Sequence, residues 1–338
     1  MQWKLGILSK KLWAILKDFK AKMILENNIN FLKNYLLRIK LNIFKKVFFI
    51  FSLFYLFYLL ILNFKEISFA LYFDNFNLYF SLIFCFLSVL FNGLAWKSIL
   101  IWLGSNYIKN DLTRFFIVTN SLKYVPGGVW HFVERFNFLK KKTNENIALY
   151  GTLIEPYLML SVSLLISAIG VIFNPFLIFL LVPTLFLNKR FIYFLLKILK
   201  SFKGKKFNFI SPGSTNKELY SCIKCKSFFP LKAFLIEVFF ICSKFLAFIC
   251  CLNIFLDISQ TNIVLILIIF CVSWSIGLII PAAPGGAGVF ETSFLLFIGK
   301  TYPQNLILEA LIYFRFISTV ADLLLSSPFI FKKYIFKD

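Results

Sequence analysis

Six stretches of this sequence are almost wholly apolar, most for roughly 17 to 25 positions, the length a helix needs to cross a hydrocarbon layer about 30 Å thick. They are residues 47–62, 78–96, 147–172, 231–255, 263–280 and 306–329. A seventh, 176–187, is apolar but short, and either spans alone or joins 191–199. With 47 Phe and only 15 acidic residues among 338, the chain holds more apolar sequence than one soluble core can take up. The expected fold is an all-α polytopic membrane protein of about six to eight transmembrane helices.

Lys and Arg outnumber Asp and Glu 37 to 15. The excess lies between the apolar runs rather than in a folded basic domain, so it reads as cytoplasmic loops and not as a nucleic-acid surface. Residues 1–46 hold eleven basic side chains, residues 189–226 hold ten, and the C-terminus reads KKYIFKD. These regions are expected in the cytoplasm, and the lysine-poor surroundings of Asp74 and Asp257 on the other side. The implied organisation is a basic cytoplasmic or interfacial segment 1–46, a transmembrane domain 47–331 with a basic loop 189–230, and a cytoplasmic tail 332–338. The expected location is the inner (plasma) membrane.

The first twenty residues, MQWKLGILSKKLWAILKDFK, break their apolar positions with lysines every few residues, which is not the pattern of a signal peptide. Leu5, Leu8, Leu12, Ile15, Leu16 and Phe19 fall at helical spacing, giving an amphipathic helix that lies on an anionic leaflet or packs on the rest of the protein. Most of the seven cysteines sit inside apolar runs and give no disulfide framework. Cys222 and Cys225 form a single CxxC, and the one histidine, His131, is far from it. A structural zinc site needs four ligands, so no metal or cofactor is expected unless a second chain completes the set.

Two prolyl-glycyl-glycine breaks interrupt this apolar background. VPGGVWHFVERF at 125–136 matches APGGAGVFETSF at 283–294: in both, Phe follows the proline by six residues, and Glu134 and Glu291 follow it by eight and seven. The match reads as an internal repeat. On the charge map, residues 111–136 enter and return from the cytoplasmic side and 263–298 from the other, the arrangement of inverted repeats with two re-entrant hairpins. Full crossing by either segment fits the same charges.

Irregular backbone at membrane depth is tolerated only where protein or a watery cavity surrounds it. Gly127, Gly128, Gly285 and Gly286 are therefore expected to line a cavity, with helices starting near Val129 and Ala287 presenting their amides to a phosphate or carboxylate. Close helix packing is the other use of such glycines. Charges within apolar runs are the second clue, because each costs at least ~2.5 kcal/mol at the bilayer centre. The candidates are Glu155, Glu237, Lys244, Glu291, Arg315 and Asp322. Arg315 with Asp322, and Glu237 with Lys244, lie seven apart on one helix face, either as internal ion pairs or as working groups.

NGLAWKSIL, KYVPGGVWHFVERF, LIEPYL, PAAPGGAGVFE and Arg315 in the run that follows resemble the flippase-like, lysylphosphatidylglycerol-synthase transmembrane family, over about residues 48–330. The resemblance implies a polytopic inner-membrane protein that moves a phospholipid headgroup between leaflets through a cavity between two re-entrant repeats. It also implies that Glu155, Glu291 and Arg315 are polar cavity positions. Bifunctional members carry a soluble aminoacyltransferase domain after the last span. This sequence stops at Asp338, so any lipid aminoacylation is expected from a separate cytoplasmic enzyme. Other members accompany glycosyltransferases, which leaves anionic and lipid-linked cargo both open.

Three function classes follow. The first is a lipid translocase with substrate contacts at Gly127, Gly128, Glu155, Gly285, Gly286, Glu291, Arg315 and Asp322, without a catalytic residue and without the GxxxxGK[ST] sequence of a nucleotide-driven pump. The second is an integral-membrane glycosyl or headgroup transferase resting on Asp74 in YFDNFN. The third is a scaffold that recruits a lipid-modifying enzyme through the basic loop. A homo-oligomer is compatible with each.

Overall fold

The computed structural model describes residues 74–105, 107, 111–124, 128–172, 174–188, 227–257, 261–280, 286, 288–299 and 301–335, with side chains to residue 327. All belong to the unit Ser52–Asp338. The segment 1–46, the run 47–62, the loop 189–226 with Cys222 and Cys225, and Gly127 and Gly285 lie outside the described residues.

Every regular element among the described residues is helical. They are α1 (Phe76–Trp102), α2 (Asp111–Asn120) continued by a 3-10 turn (Ser121–Tyr124), α3 (Trp130–Lys142), α4 (Glu145–Ser167) and α5 (Val182–Leu185). After the loop come α6 (Leu231–Phe255), α7 (Ile263–Ile279), α8 (Val289–Ile298) and α9 (Gln304–Ile335). Three helical stretches are long and apolar enough to cross a membrane: Phe76–Trp102, Glu145–Ile172 and Leu231–Phe255. Asparagine sets several of the starts. The side chains of Asn75, Asn144 and Asn262 accept from the amides of Asn77, Asn146 and Leu265 at 3.0, 3.0 and 3.1 Å, opening α1, α4 and α7.

The long helices are inside out relative to a soluble bundle. On α1, Phe80, Ile83, Leu87, Leu90 and Leu94 are exposed, while Ser81, Ser88 and Asn92 are buried. On α6, Leu231, Leu235, Phe239 and Leu246 face outward, while Glu237, Ser243 and Lys244 face in. A stripe of exposed large apolar side chains, with polar groups set among the apolar ones inside, suits a hydrocarbon surround.

Two successions of the same kind are visible: long helix, broken hairpin, long helix. The first is α1, α2 to α3, then α4; the second is α6, α7 to α8, then α9. They interlock reciprocally, with α4 packed on α7 and α9 packed on α2. The two leading helices, α1 and α6, form the most extensive helix contact and run antiparallel. Ser81 Oγ donates to Ala247 O at 2.9 Å, the Phe91 and Phe239 rings are 5.7 Å apart, and Trp102 Nε1 donates to Ser227 O at 3.0 Å.

Two apolar clusters hold this arrangement. One is aromatic: the Phe248 ring meets Phe270, Phe294 and Phe314 at 5.5, 5.1 and 5.7 Å, joining α6, α7, α8 and α9. The other joins α1, α2, α3 and α4 around Trp96, Leu100, Phe116 and Leu139. Trp96, from the NGLAWKSIL stretch, donates its Nε1 to Gly151 O at 2.7 Å. Beside it, a Cβ on Gly151 would stand 2.4 Å from Leu100 Cδ2 and 3.3 Å from Leu139 Cδ1, so any side chain there must push both aside. Gly151→Val should therefore lower the thermal unfolding midpoint in detergent by an overpacking cost of about 1–3 kcal/mol. Leu153→Val, on the exposed face of the same helix, should leave it nearly in place.

Candidate functional site

The two broken hairpins meet across a cavity of about 160 Å³. Lys123, Gly128, His131 and Arg135 reach it from the first hairpin, and Trp274, Gly277, Gly286 and Phe290 from the second. Asn120 and Tyr124 of the first hairpin, Asn92 of α1, Glu155 of α4, Lys244 of α6, and Arg315, Ser318 and Asp322 of α9 add to its polar lining. Gly128 and Gly286 take φ values of 63° and 70°, a left-handed backbone that side chains other than glycine disfavour. Gly286 also stacks on Gly277, whose carbonyl oxygen would stand 3.1 Å from any Cβ placed there.

Ion pairs tie each hairpin to the helices behind it. On the first hairpin, Arg135 is 1% exposed and donates through Nη1 to Glu155 Oε2 at 3.0 Å and through Nε to Thr119 Oγ1 at 3.1 Å. Its guanidinium lies 3.6 Å from the Phe116 ring centroid. On the second hairpin, both oxygens of Glu291 are committed: one accepts from the Gly288 amide at 2.7 Å, the other from Arg315 Nε. Arg315 Nη2 also donates to Gly286 O at 3.1 Å. One arginine thus braces both the carboxylate that caps α8 and a carbonyl of the turn before it.

Asp322 belongs to the other hairpin. Its carboxylate accepts from Lys123 Nζ at 2.7 Å, Tyr124 Oη at 2.5 Å and Asn120 Nδ2 at 2.9 Å. The expected sharing of one helix face by Arg315 and Asp322 holds, but they do not pair. Seven residues of helix separate them by about 10.5 Å along the axis, so each reaches a different hairpin. The same geometry undoes a Glu237–Lys244 pair: Lys244 Nζ donates instead to Ser318 Oγ at 2.6 Å.

Of the residues singled out from sequence, Gly128, Glu155, Gly286, Arg315 and Asp322 line the cavity. Glu291 stands behind it, 5% exposed, acting through Arg315 and the α8 cap. The helices begin at Trp130 and Val289, close to the expected starts near Val129 and Ala287, but the Gly288 amide is occupied by Glu291, so the start of α8 is not a bare anion site. Asp74 is exposed before the α1 cap and does not line the cavity. Lys123, Arg135, Trp274 and Asn92 were not picked out from sequence. Arg135 was within sight, as it stands beside Glu134 in the repeat, but nothing local says that Arg135 turns inward and Glu134 outward.

Four buried polar atoms on cavity-lining residues have no hydrogen-bond partner among the described residues: Asn92 Oδ1, His131 Nδ1, Arg135 Nη2 and Trp274 Nε1. Buried polar groups are almost always satisfied. All four belong to residues that line the cavity, a space large enough for water or a polar ligand. Charges line it as well. Lys123, Arg135 and Arg315 each form an ion pair with a carboxylate, whereas Lys244 donates to the Ser318 hydroxyl and has no carboxylate in salt-bridge reach among the described residues. The lining is therefore a set of donors with one cation in excess. Compared with protein-family models and with curated proteins, the sequence matches none.

Removing the Asp322 carboxylate strands Lys123 and two further donors. Asp322→Ala should cost about 3–5 kcal/mol of stability. Lys123→Met added to it should cost much less than Lys123→Met alone, a coupling that a double-mutant cycle in thermal unfolding would measure.

Proposed function

We propose that this chain moves the headgroup of a phospholipid or a lipid-linked sugar between leaflets through the cavity between its two broken hairpins, the acyl chains remaining in lipid. The observation that carries the reading is the charge around the cavity: four lining cations against the lining carboxylates of Glu155 and Asp322 and the carboxylate of Glu291 behind them, with unused donors on Arg135 and Trp274 among the described residues. Such a set fits a phosphate, while Asn92 and His131 offer contacts for hydroxyl or amine groups beyond it.

Three features of the fold support a transport role. Hairpin helices α2 and α8 have ten residues each, about 15 Å of rise, roughly half a hydrocarbon layer, as re-entrant segments do. The repeated succession of helices, with α1 and α6 antiparallel, is the relation of inverted repeats, since repeats related by an axis along the membrane normal would set their leading helices parallel. Charges divide between the two ends of the bundle. Asp74 and Asp257 flank the start of α1 and the end of α6, while Lys140, Lys141 and Lys142 end α3 beside the C-terminus of α1, which is the sense of the positive-inside rule. A resemblance to the flippase-like, lysylphosphatidylglycerol-synthase transmembrane family accords with all three.

A leaflet-resolved flipping assay in liposomes, with a panel of anionic, aminoacylated and glycosylated lipids, tests the proposal. One headgroup class should flip faster with protein than without. Lys244→Ala and Arg315→Ala should each slow it by tenfold or more, about 1.4 kcal/mol of lost binding or barrier lowering. Lys141→Ala, at an exposed position, should not. No acceleration for any lipid would end the translocase reading.

A further inference from the structure

Glu237 is the one candidate charge that the cavity does not absorb. It lies on α6 one turn before Phe240 and two before Lys244, both cavity-lining, yet its own side chain is fully buried and neither carboxylate oxygen has a hydrogen-bond partner among the described residues. Helices α1, α4, α7 and α9 pack against α6. Among the described side chains they carry Tyr79, Cys85 and Lys97, Glu145, Tyr150, Glu155 and Tyr157, Cys271, and Glu309, Tyr313, Arg315 and Asp322 respectively. Of these, only the Glu155 carboxylate acts on Glu237, and it acts as a like charge. On its own helix, Lys232 is exposed, Lys244 is turned to Ser318, and Cys242, Cys250 and Cys251 bring no counter-charge.

A bare carboxylate in this position faces three penalties together: no solvent, no donor and a neighbouring anion. A proton removes all three, because a carboxylic acid needs no counter-ion. We infer that Glu237 is the binding site of a proton that travels with the lipid headgroup and drives its movement, an inference that rests on reading the cavity as a headgroup site.

The link to the cavity runs through Arg135. Glu155 repels a charged Glu237 and at the same time holds Arg135, whose Nη2 is unused and whose guanidinium lines the cavity. When Glu237 releases its proton, its negative charge adds to that of Glu155 and strengthens the hold of Glu155 on Arg135, keeping that guanidinium on the wall and away from the headgroup. When the proton returns, Arg135 is free to face the cavity. Linkage is reciprocal, so a bound phosphate that engages Arg135 favours the protonated acid. Proton and headgroup then bind together and leave together, which supplies a driving force to a chain without a Walker A sequence.

The test pairs infrared difference spectroscopy with transport, on the purified full chain in liposomes from about pH 5 to 8. Wild type should show the carbonyl stretch of a buried, protonated carboxylic acid that is missing from Glu237→Gln and displaced in Glu237→Asp, which retains a titratable group if the amide variant fails to fold. An imposed pH gradient should speed headgroup movement in the direction of proton entry, with a leaflet asymmetry of up to about tenfold per pH unit for one proton per lipid. Glu237→Gln should flip at a rate indifferent to the gradient. If the wild-type band is absent throughout, Glu237 is not a proton site and the inference falls. If the band is present but flipping ignores the gradient, the coupling falls. If the band is present in a protein that flips no lipid on the panel, the cavity's role in lipid movement falls and the coupling with it, while the proton site stands.

Discussion

A glycine turn that interrupts buried helices leaves carbonyl and amide groups that an apolar surround cannot satisfy, and in this chain charges satisfy or brace them. At the second hairpin Arg315 donates to the Gly286 carbonyl while Glu291 accepts from the Gly288 amide, and the two side chains neutralise one another. At the first hairpin Asp322 gathers three donors from residues 120–124, just ahead of the break. Both constraints issue from α9. Two turns of one helix thus set the separation of the two hairpins, and that separation is the cavity. The apolar packing is compatible with this spacing but has no means of specifying it, because phenylalanine clusters slide more readily than ion pairs do.

The helix-to-hairpin pairs repeat with their signs exchanged. Arg135 on α3 meets Glu155 on the long helix that follows, and Glu291 on α8 meets Arg315 on the long helix that follows it. Each hairpin is held to its own succeeding helix by one guanidinium and one carboxylate, and each succeeding helix packs on the opposite hairpin's first arm. A desolvated pair of this kind is costly to break and adds little over an apolar contact when intact. Its value here is register: it fixes where along α4 and α9 the broken segments stop, and so which glycines face the cavity.

Much of this was legible in the sequence, and the reasons are local. The apolar runs predict helices, and the Pro-Gly-Gly pairs mark the breaks. Glu155, Arg315 and Asp322 stand out because an ionisable residue in an apolar run is expensive whatever surrounds it. What the sequence does not carry is partner choice. A spacing of seven says that Arg315 and Asp322 share a face, not that one turns to Gly286 and the other to Tyr124. Lys123 and Arg135 lie in mixed segments where charge is ordinary, so nothing in composition separates them from the exposed Lys140 and Lys141; only the packing of α2 and α3 against α9 and α4 turns them inward. The Trp96 contact was equally hidden, since its acceptor is a backbone carbonyl fifty-five residues away.

Pairing in the cavity leaves little slack, and that bears on how such a site could work. Lys123, Arg135 and Arg315 are each neutralised by a carboxylate at the wall, so a bound anion competes with Asp322, Glu155 or Glu291 unless it takes the one lining cation without such a partner among the described residues, Lys244. An entering phosphate would first meet Lys244 and the unused donors of Arg135 and Trp274, and tighter binding would loosen a wall pair. Because those pairs are what hold the hairpins to α4 and α9, loosening them frees the hairpins to shift. Ligand binding and hairpin movement then draw on the same few contacts, which is the condition for a site whose occupancy changes the side to which it opens.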